Sequence, residues 1–177
     1  STIVIRKMIL EEIGGFGAIA DYLADDYFLG HLSARAGYQV VLSNYVVDHL
    51  LSASHLSDSI KRQTRWNRGM RLSRPIGYLG LLFTYGTITS FIFLMATGGS
   101  ILGWTVLAIT WTTRLVMAWF IGVIYMKDPV TKKFVWLVPV SDFLSFLLWC
   151  YSFVGNSIEW RERQFKLTKD GKLMALK

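Results

Sequence analysis

Apolar and polar positions divide the chain into four zones. Over residues 1–56 they mix at short range. Met8, Ile9 and Ile13 stand among charged neighbours and are followed by Gly14-Gly15, which predicts a helix over Arg6 to Ile13 with a glycine end. Phe28, Leu29 and Leu32 recur at helical spacing in Asp25 to Ala36, Gly37 closes that segment, and Tyr38 to Leu42 is a short β-rich run. Helix, turn and strand in this order match the last part of an α/β domain, and a head of about 50 residues is too small to be such a domain alone. Further strands are therefore expected outside this chain. Residues 57–75 form a basic amphipathic segment. At about 100° per residue Ile60, Trp66 and Met70 fall on one side of a wheel, with Lys61, Arg62, Arg65 and Arg68 on the other, as in a helix lying in a membrane interface.

Residues 76–155 are largely apolar. Ile76 to Thr97 holds 22 residues without a charge, and Ile101 to Tyr125 holds 25 with Arg114 alone. Each reaches the roughly 20 residues that cross a hydrocarbon core of about 30 Å. The short link Gly98-Gly99-Ser100 makes these two spans, 76–97 and 101–125, a helical hairpin. A third run, 134–154, has the length to cross but carries Pro139 and Asp142. By length it reads as a third span, the alternative being a broken, re-entrant element that returns to the cytoplasmic face. In both cases Asp142 has to face protein or water, and it is the natural partner for Arg114. Residues 156–177 form a basic tail. No internal repeat or low-complexity tract is present.

Composition agrees with this division. Of 177 residues 53% are hydrophobic and the mean hydropathy is +0.38, which argues against a purely soluble globule. The net charge is −3 over residues 1–57, +5 over 58–75, +1 over 76–125 and +4 over 126–177. Because an apolar block follows the basic collar directly, the collar fits a membrane surface and not nucleic acid. Lys127, Lys132 and Lys133 put their loop on the cytoplasmic side, and the head and collar then share it. The basic tail asks for the same side, which a third crossing would deny. The chain opens at Ser1 without a signal-peptide pattern and reads as a piece of a longer protein. Cys150 stands alone, so neither a disulfide framework nor a multi-cysteine zinc site is expected, and three histidines add little towards a metal site.

Two constellations could carry chemistry. Asp25 and Asp26 open a helix, where acids serve as caps and complement the dipole, or where one of them acts as a general base towards a hydroxyl. In the collar, Arg62 and Arg65 lie one turn apart, a spacing that suits bidentate clamping of a pyrophosphate, and Trp66 offers an apolar face to a sugar or lipid headgroup. Lys61, Arg68, Arg71 and Arg74 are read as membrane attachment.

Taken in order, Asp25-Asp26-Tyr27-Phe28-Leu29, Ala36-Gly37-Tyr38, Arg62-x-x-Arg65-Trp66 and three apolar segments resemble the C-terminal half of the membrane-bound family 2 and family 21 glycosyltransferases. The pattern is most similar to the ceramide glucosyltransferase branch, including the bacterial enzymes that glycosylate hopanoids. The ending Trp160-Arg161-Glu162-Arg163-Gln164-Phe165-Lys166-Leu167 resembles the tail of the hopanoid group. The resemblance implies the end of a glycosyltransferase-A type α/β domain, an interfacial helix and an α-helical membrane domain of two or three spans. It implies that Asp26 is the catalytic base, that Asp25 stands where the family usually has Glu, and that Arg62, Arg65 and Trp66 are the signature residues. It implies transfer from a nucleotide diphosphate sugar to a membrane lipid hydroxyl, with the catalytic part cytoplasmic. The divalent metal, Mg or Mn, would be held by family motifs that precede Ser1, so no metal ligand is expected in this chain, nor turnover by it alone. His31, His49 and His55 match no part of the signature and are read as surface or packing residues. The alternatives are a processive polysaccharide synthase and a non-catalytic membrane anchor or scaffold.

Overall fold

The computed structural model describes residues 2–45, 47, 55–160, 163–168 and 170–175. They fall into two compact units, Ser1–Pro75 with Ser152–Lys177, and Ile76–Tyr151.

The first unit contains α1 (Lys7–Glu12), a 3-10 turn at Phe16–Ala18, α2 (Asp25–Arg35), α3 (Leu56–Ser73) and an antiparallel sheet in the order β1 (Ser157–Trp160), β2 (Arg163–Leu167), β3 (Leu173–Ala175). The two head helices end as their glycines require. Gly14, Gly15 and Gly37 take φ of +95°, +69° and +91°, the left-handed region that favours glycine. Tyr38 to Leu42 departs from the expectation: the run is irregular and pairs with no described strand, and Val40, Val41 and Leu42 are exposed. A strand needs a neighbour to take its backbone groups, and none of the described residues supplies one there. The only sheet among the described residues lies at the other end of the chain, so a glycosyltransferase-A type α/β layer is not formed by them. In that sheet Ile158 pairs with Phe165 and Leu167 with Leu173, and the period-two pattern buries Ile158 and Leu167 while Lys166 faces out.

The second unit is helical. It comprises α4 (Pro75–Gly80) running into a 3-10 turn (Leu81–Thr84), α5 (Gly86–Ala96), α6 (Ile101–Ala118) continued as a π-helix (Trp119–Tyr125), α7 (Pro129–Phe134), a 3-10 turn (Val135–Leu137) and α8 (Val138–Tyr151). Two helical stretches, Ile101–Tyr125 and Pro129–Tyr151, have the length and apolar composition to cross a membrane. The apolar run 76–97 is broken instead: Pro75–Thr84 and Gly86–Ala96 are bent by 61°. The break falls at Tyr85, next to Gly86, where a Cβ would come 3.3 Å from Thr110 Cγ2. The third run starts earlier than its apolar residues suggest. The Asp128 carboxylate accepts the N–H groups of Val130 and Thr131 at 3.0 and 3.1 Å, and Pro129 follows it, a strong helix start. These bonds, with that of the Thr131 hydroxyl, hold the Asp128 carboxyl below its usual pKa. Pro139 sits in the first turn of α8, where its missing N–H is no loss.

The hairpin turn is as expected. Gly98 and Gly99 have φ of +61° and +75°, and Ser100 caps α6 by accepting the Gly103 N–H at 3.1 Å. A Cβ on Gly103 would lie 2.5 Å from Thr97 Oγ1 and 3.1 Å from Leu94 Cα, so α5 and α6 meet backbone to backbone. Arg114 and Asp142 pair as expected. Arg114 Nε donates to Asp142 Oδ2 at 2.9 Å, Nη2 pairs with Oδ1, and Thr87 Oγ1 donates to Oδ2 at 2.6 Å, so one carboxylate joins α5, α6 and α8.

Candidate active site

α2 forms with acids in its first turn and Arg35 in its last, as the helix dipole favours, and buries Leu29 and Ser33. Asp25 and Asp26 are helical residues of that first turn, after the N-cap Ala24, and both are exposed. Asp25 Oδ1 accepts the Asp26 N–H at 2.9 Å and Asp26 Oδ1 accepts the Tyr27 N–H at 2.7 Å. Each carboxylate therefore takes up one first-turn N–H and remains open to solvent, an arrangement compatible with both capping and base chemistry. Aromatic rings line up behind the pair: Tyr22 on Phe28 at 3.9 Å, and Tyr27 stacked on His31 at 5.5 Å. His31 is thus a packing residue. His55 lies at the start of α3, where its N–H donates to Asp58 at 3.1 Å, and His49 lies outside the described residues.

α3 bears the signature residues. Arg62 donates to Ser59 Oγ at 3.2 Å, one turn back on its own helix. Arg65 is half-buried, and burial first, then the like charge of Arg62, pulls its guanidinium below the usual arginine pKa. Trp66 is 44% exposed.

The wheel drawn from the sequence holds its angles but not its orientation. Arg68 is only 8% exposed and donates to the carbonyls of Val154, at 2.6 Å, and Ser157. Arg71 donates to Gly155 O at 3.3 Å and to Asn156 Oδ1, and its guanidinium lies over the Phe153 ring. Lys61 pairs with Glu159 at 3.1 Å. Arg68 and Arg71 hold the protein's own tail, which corrects their reading as lipid contacts, and Lys61 pairs with the same tail while staying exposed. Carbonyls leaving the last helix need donors, and the arginines supply them. Arg74 is exposed, and Trp66 and Met70 face outward.

The two constellations belong to one unit. The entrance to α2 meets α3 at Leu23 against Gly69, where a Cβ on the glycine would lie 3.2 Å from Leu23 Cδ2. The tail also joins this junction: the Leu23 N–H donates to Gly171 O at 3.2 Å and the Leu173 N–H to Asp21 O at 2.8 Å. Sequence reasoning missed the tail, although the alternation of Ile158, Phe165 and Leu167 with polar neighbours was a usable strand signal. Among the described residues no three His, Cys, Asp or Glu side chains could together hold a metal ion, so the residues present do not make a metal site and no step is derived through one.

Over 63 residues, 36% of this chain, the sequence is 33% identical to ceramide glucosyltransferase 3 of Caenorhabditis elegans, a match that covers 14% of that protein. No solved structure matches. The pattern of glycosyl transferase family 21 matches residues 1–173, and the chain belongs to that family.

Proposed function

We propose that the full-length protein is an inverting glycosyltransferase that moves a sugar from a nucleotide diphosphate sugar to the hydroxyl of a membrane lipid of ceramide or hopanoid type. The family match over residues 1–173 carries this reading, and the exposed Asp25–Asp26 pair and the adjacent guanidiniums of Arg62 and Arg65 support it. The lipid hydroxyl attacks the anomeric carbon, Asp26 takes its proton, and the bond to the nucleotide diphosphate breaks with inversion. Asp25 fixes the first turn beside it. Arg62 and Arg65 offset the charge gathering on the departing diphosphate, and Trp66 offers its exposed ring to the sugar or acceptor. The divalent metal implied by the resemblance enters only as a group held by residues outside this chain. The test is Asp26→Asn in the full-length protein, assayed in membranes with nucleotide sugars and lipid acceptors. Turnover should be lost while the folded amount is unchanged; retained turnover would remove Asp26 from the chemistry.

The proposed topology places residues 1–75 and the tail on the cytoplasmic side. Both flanks of the apolar block lie in one unit, so the block crosses an even number of times. Both ends of Pro129–Tyr151 pack on hairpin residues far in sequence from the Gly98-Gly99 turn. A Cβ on Gly122 would meet Thr131 Cγ2 at 2.5 Å, and Trp149 Nε1 donates to Tyr78 O at 3.0 Å. The hairpin supplies the two crossings, and 129–151 is embedded without crossing.

A further inference from the structure

We infer that the described tail residues 152–160, 163–168 and 170–175 are a strap that positions the Asp25–Asp26 turn against α3, an inference that rests on the catalytic role proposed for Asp26. The strap is fastened at both ends. At its start, Arg68 reaches the Val154 and Ser157 carbonyls, Arg71 reaches Gly155 and Asn156, and Lys61 reaches Glu159. These three basic residues come from the same helix that carries Arg62, Arg65 and Trp66. At its end, Lys172 bridges to Tyr22, Leu173 donates to Asp21 O, and Gly171 O accepts from Leu23, so the strap is bonded within two residues of Asp25. Gly171, with φ of +80°, lies where a Cβ would come 3.5 Å from Ser73 Oγ on α3 and 3.9 Å from Phe28 on α2.

This geometry assigns the buried guanidinium of Arg68 a role that its place in a basic collar does not suggest. A residue 8% exposed that satisfies two carbonyls of the departing chain is not available to a lipid surface. It fixes where β1 starts, and the sheet carries that position to Gly171 and Leu173, which hold the turn before the acidic pair. Arg68 is therefore a positioning residue: it acts on Asp26 through the strap and touches no substrate. A base misplaced by about 1 Å loses rate without losing binding, which predicts an effect on kcat.

The test uses the full-length protein with Arg68→Met, which keeps the aliphatic stem, and Arg68→Lys. Amide hydrogen exchange over residues 19–24 and 154–175, together with kcat and KM for donor and acceptor, is the readout. For Arg68→Met we expect exchange at Leu23 and Leu173 to rise at least tenfold and kcat to fall at least tenfold, with both KM values within twofold. Lys, which cannot span both carbonyls equally, should fall between. Faster exchange confined to 154–160, or exchange coupled to 19–24 without loss of kcat in an enzyme that Asp26→Asn inactivates, would overturn the strap. Should Asp26→Asn stay active, the catalytic reading fails while exchange at Leu23 still decides whether the strap is mechanical. If Arg68→Met does not fold, Lys61→Glu and Glu159→Lys loosen the same end at exposed positions. Each should lower kcat and the double exchange should restore it; no restoration would count against the strap.

Discussion

Removing Arg114 should expose what the apolar unit depends on. Its guanidinium and the Asp142 carboxylate form a bidentate pair, with Thr87 donating to the same carboxylate. The Asp142 side chain is 14% exposed and that of Arg114 45%. In a bilayer the exposed part of Arg114 meets hydrocarbon or polypeptide, so the discount that water gives a surface pair does not apply. Arg114→Met leaves the carboxylate with Thr87 alone. Leaving one charge of a buried pair uncompensated costs about 3–5 kcal/mol, and escape by protonation at pH 7 from an ordinary carboxylate pKa costs roughly 4 kcal/mol, which caps the loss. Asp142→Leu strands the guanidinium in an apolar segment at about 2.5–3.5 kcal/mol. The double variant loses both charges, and Thr87 can turn its hydroxyl back to its own helix, so the double should cost about 1 kcal/mol or less. The assay is reversible unfolding of the full-length protein in mild detergent, read as a double-mutant cycle. A coupling of at least about 3 kcal/mol is expected. Single losses that add to within about 0.5 kcal/mol would refute the clasp.

Three further outcomes follow from the same contacts. Gly103→Ala should cost about 1–3 kcal/mol because its Cβ meets Leu94 Cα and Thr97 Oγ1, whereas Gly80→Ala, with open space, should be neutral or slightly stabilising; equal effects in thermal melts would deny the close approach of α5 and α6. Arg62→Ala and Arg65→Ala should each remove about 2–4 kcal/mol of transition-state stabilisation in kcat/KM, and Arg74→Ala little; three small, equal losses would leave only an electrostatic anchor. In a Cys150→Ser background, single cysteines at positions 99 and 130 should react with an impermeant reagent from opposite faces, position 130 from the face of Asp26; labelling of both from one face would remove the two-crossing hairpin.

What the sequence made legible were features whose signal is local and repeated. The hairpin follows from two long apolar runs around Gly98-Gly99, and the Arg114–Asp142 pair from the cost of an isolated charge among apolar residues. The ends of α1 and α2 follow from glycines that take φ above zero. What could not be read depends on partners. Tyr38 to Leu42 has β composition but no neighbouring strand among the described residues, so composition alone did not make it a strand. The break at Tyr85 lies beside Gly86, whose close approach to Thr110 is between segments 24 residues apart and leaves no local signal. The start of α7 was legible in Asp128-Pro129, but the search for apolar length looked past it.

The arginines of α3 show why an acidic or basic pattern underdetermines a site. Arg62, Arg65 and Arg68 fall on one side of the wheel, with Arg71 about 60° further round, and they differ in what approaches them. Arg68 and Arg71 meet carbonyls of the chain leaving α8, which need donors where no helix supplies them. Arg62 and Arg65 lie nearer the N-terminus, where Arg62 bonds Ser59 and Arg65 is half-buried. A helical wheel records angle and not approach, so it put Arg68 on the same side as Arg62 and Arg65 and could not tell them apart. The apolar residues Trp66 and Met70 face outward for the same reason: the tail occupies the opposite side of α3, and the surface left open carries the indole of the signature. The tail packing that occupies Arg68 and Arg71 thereby leaves the indole of Trp66 on the open surface of α3, which is where the proposed reaction needs an apolar face for sugar or acceptor.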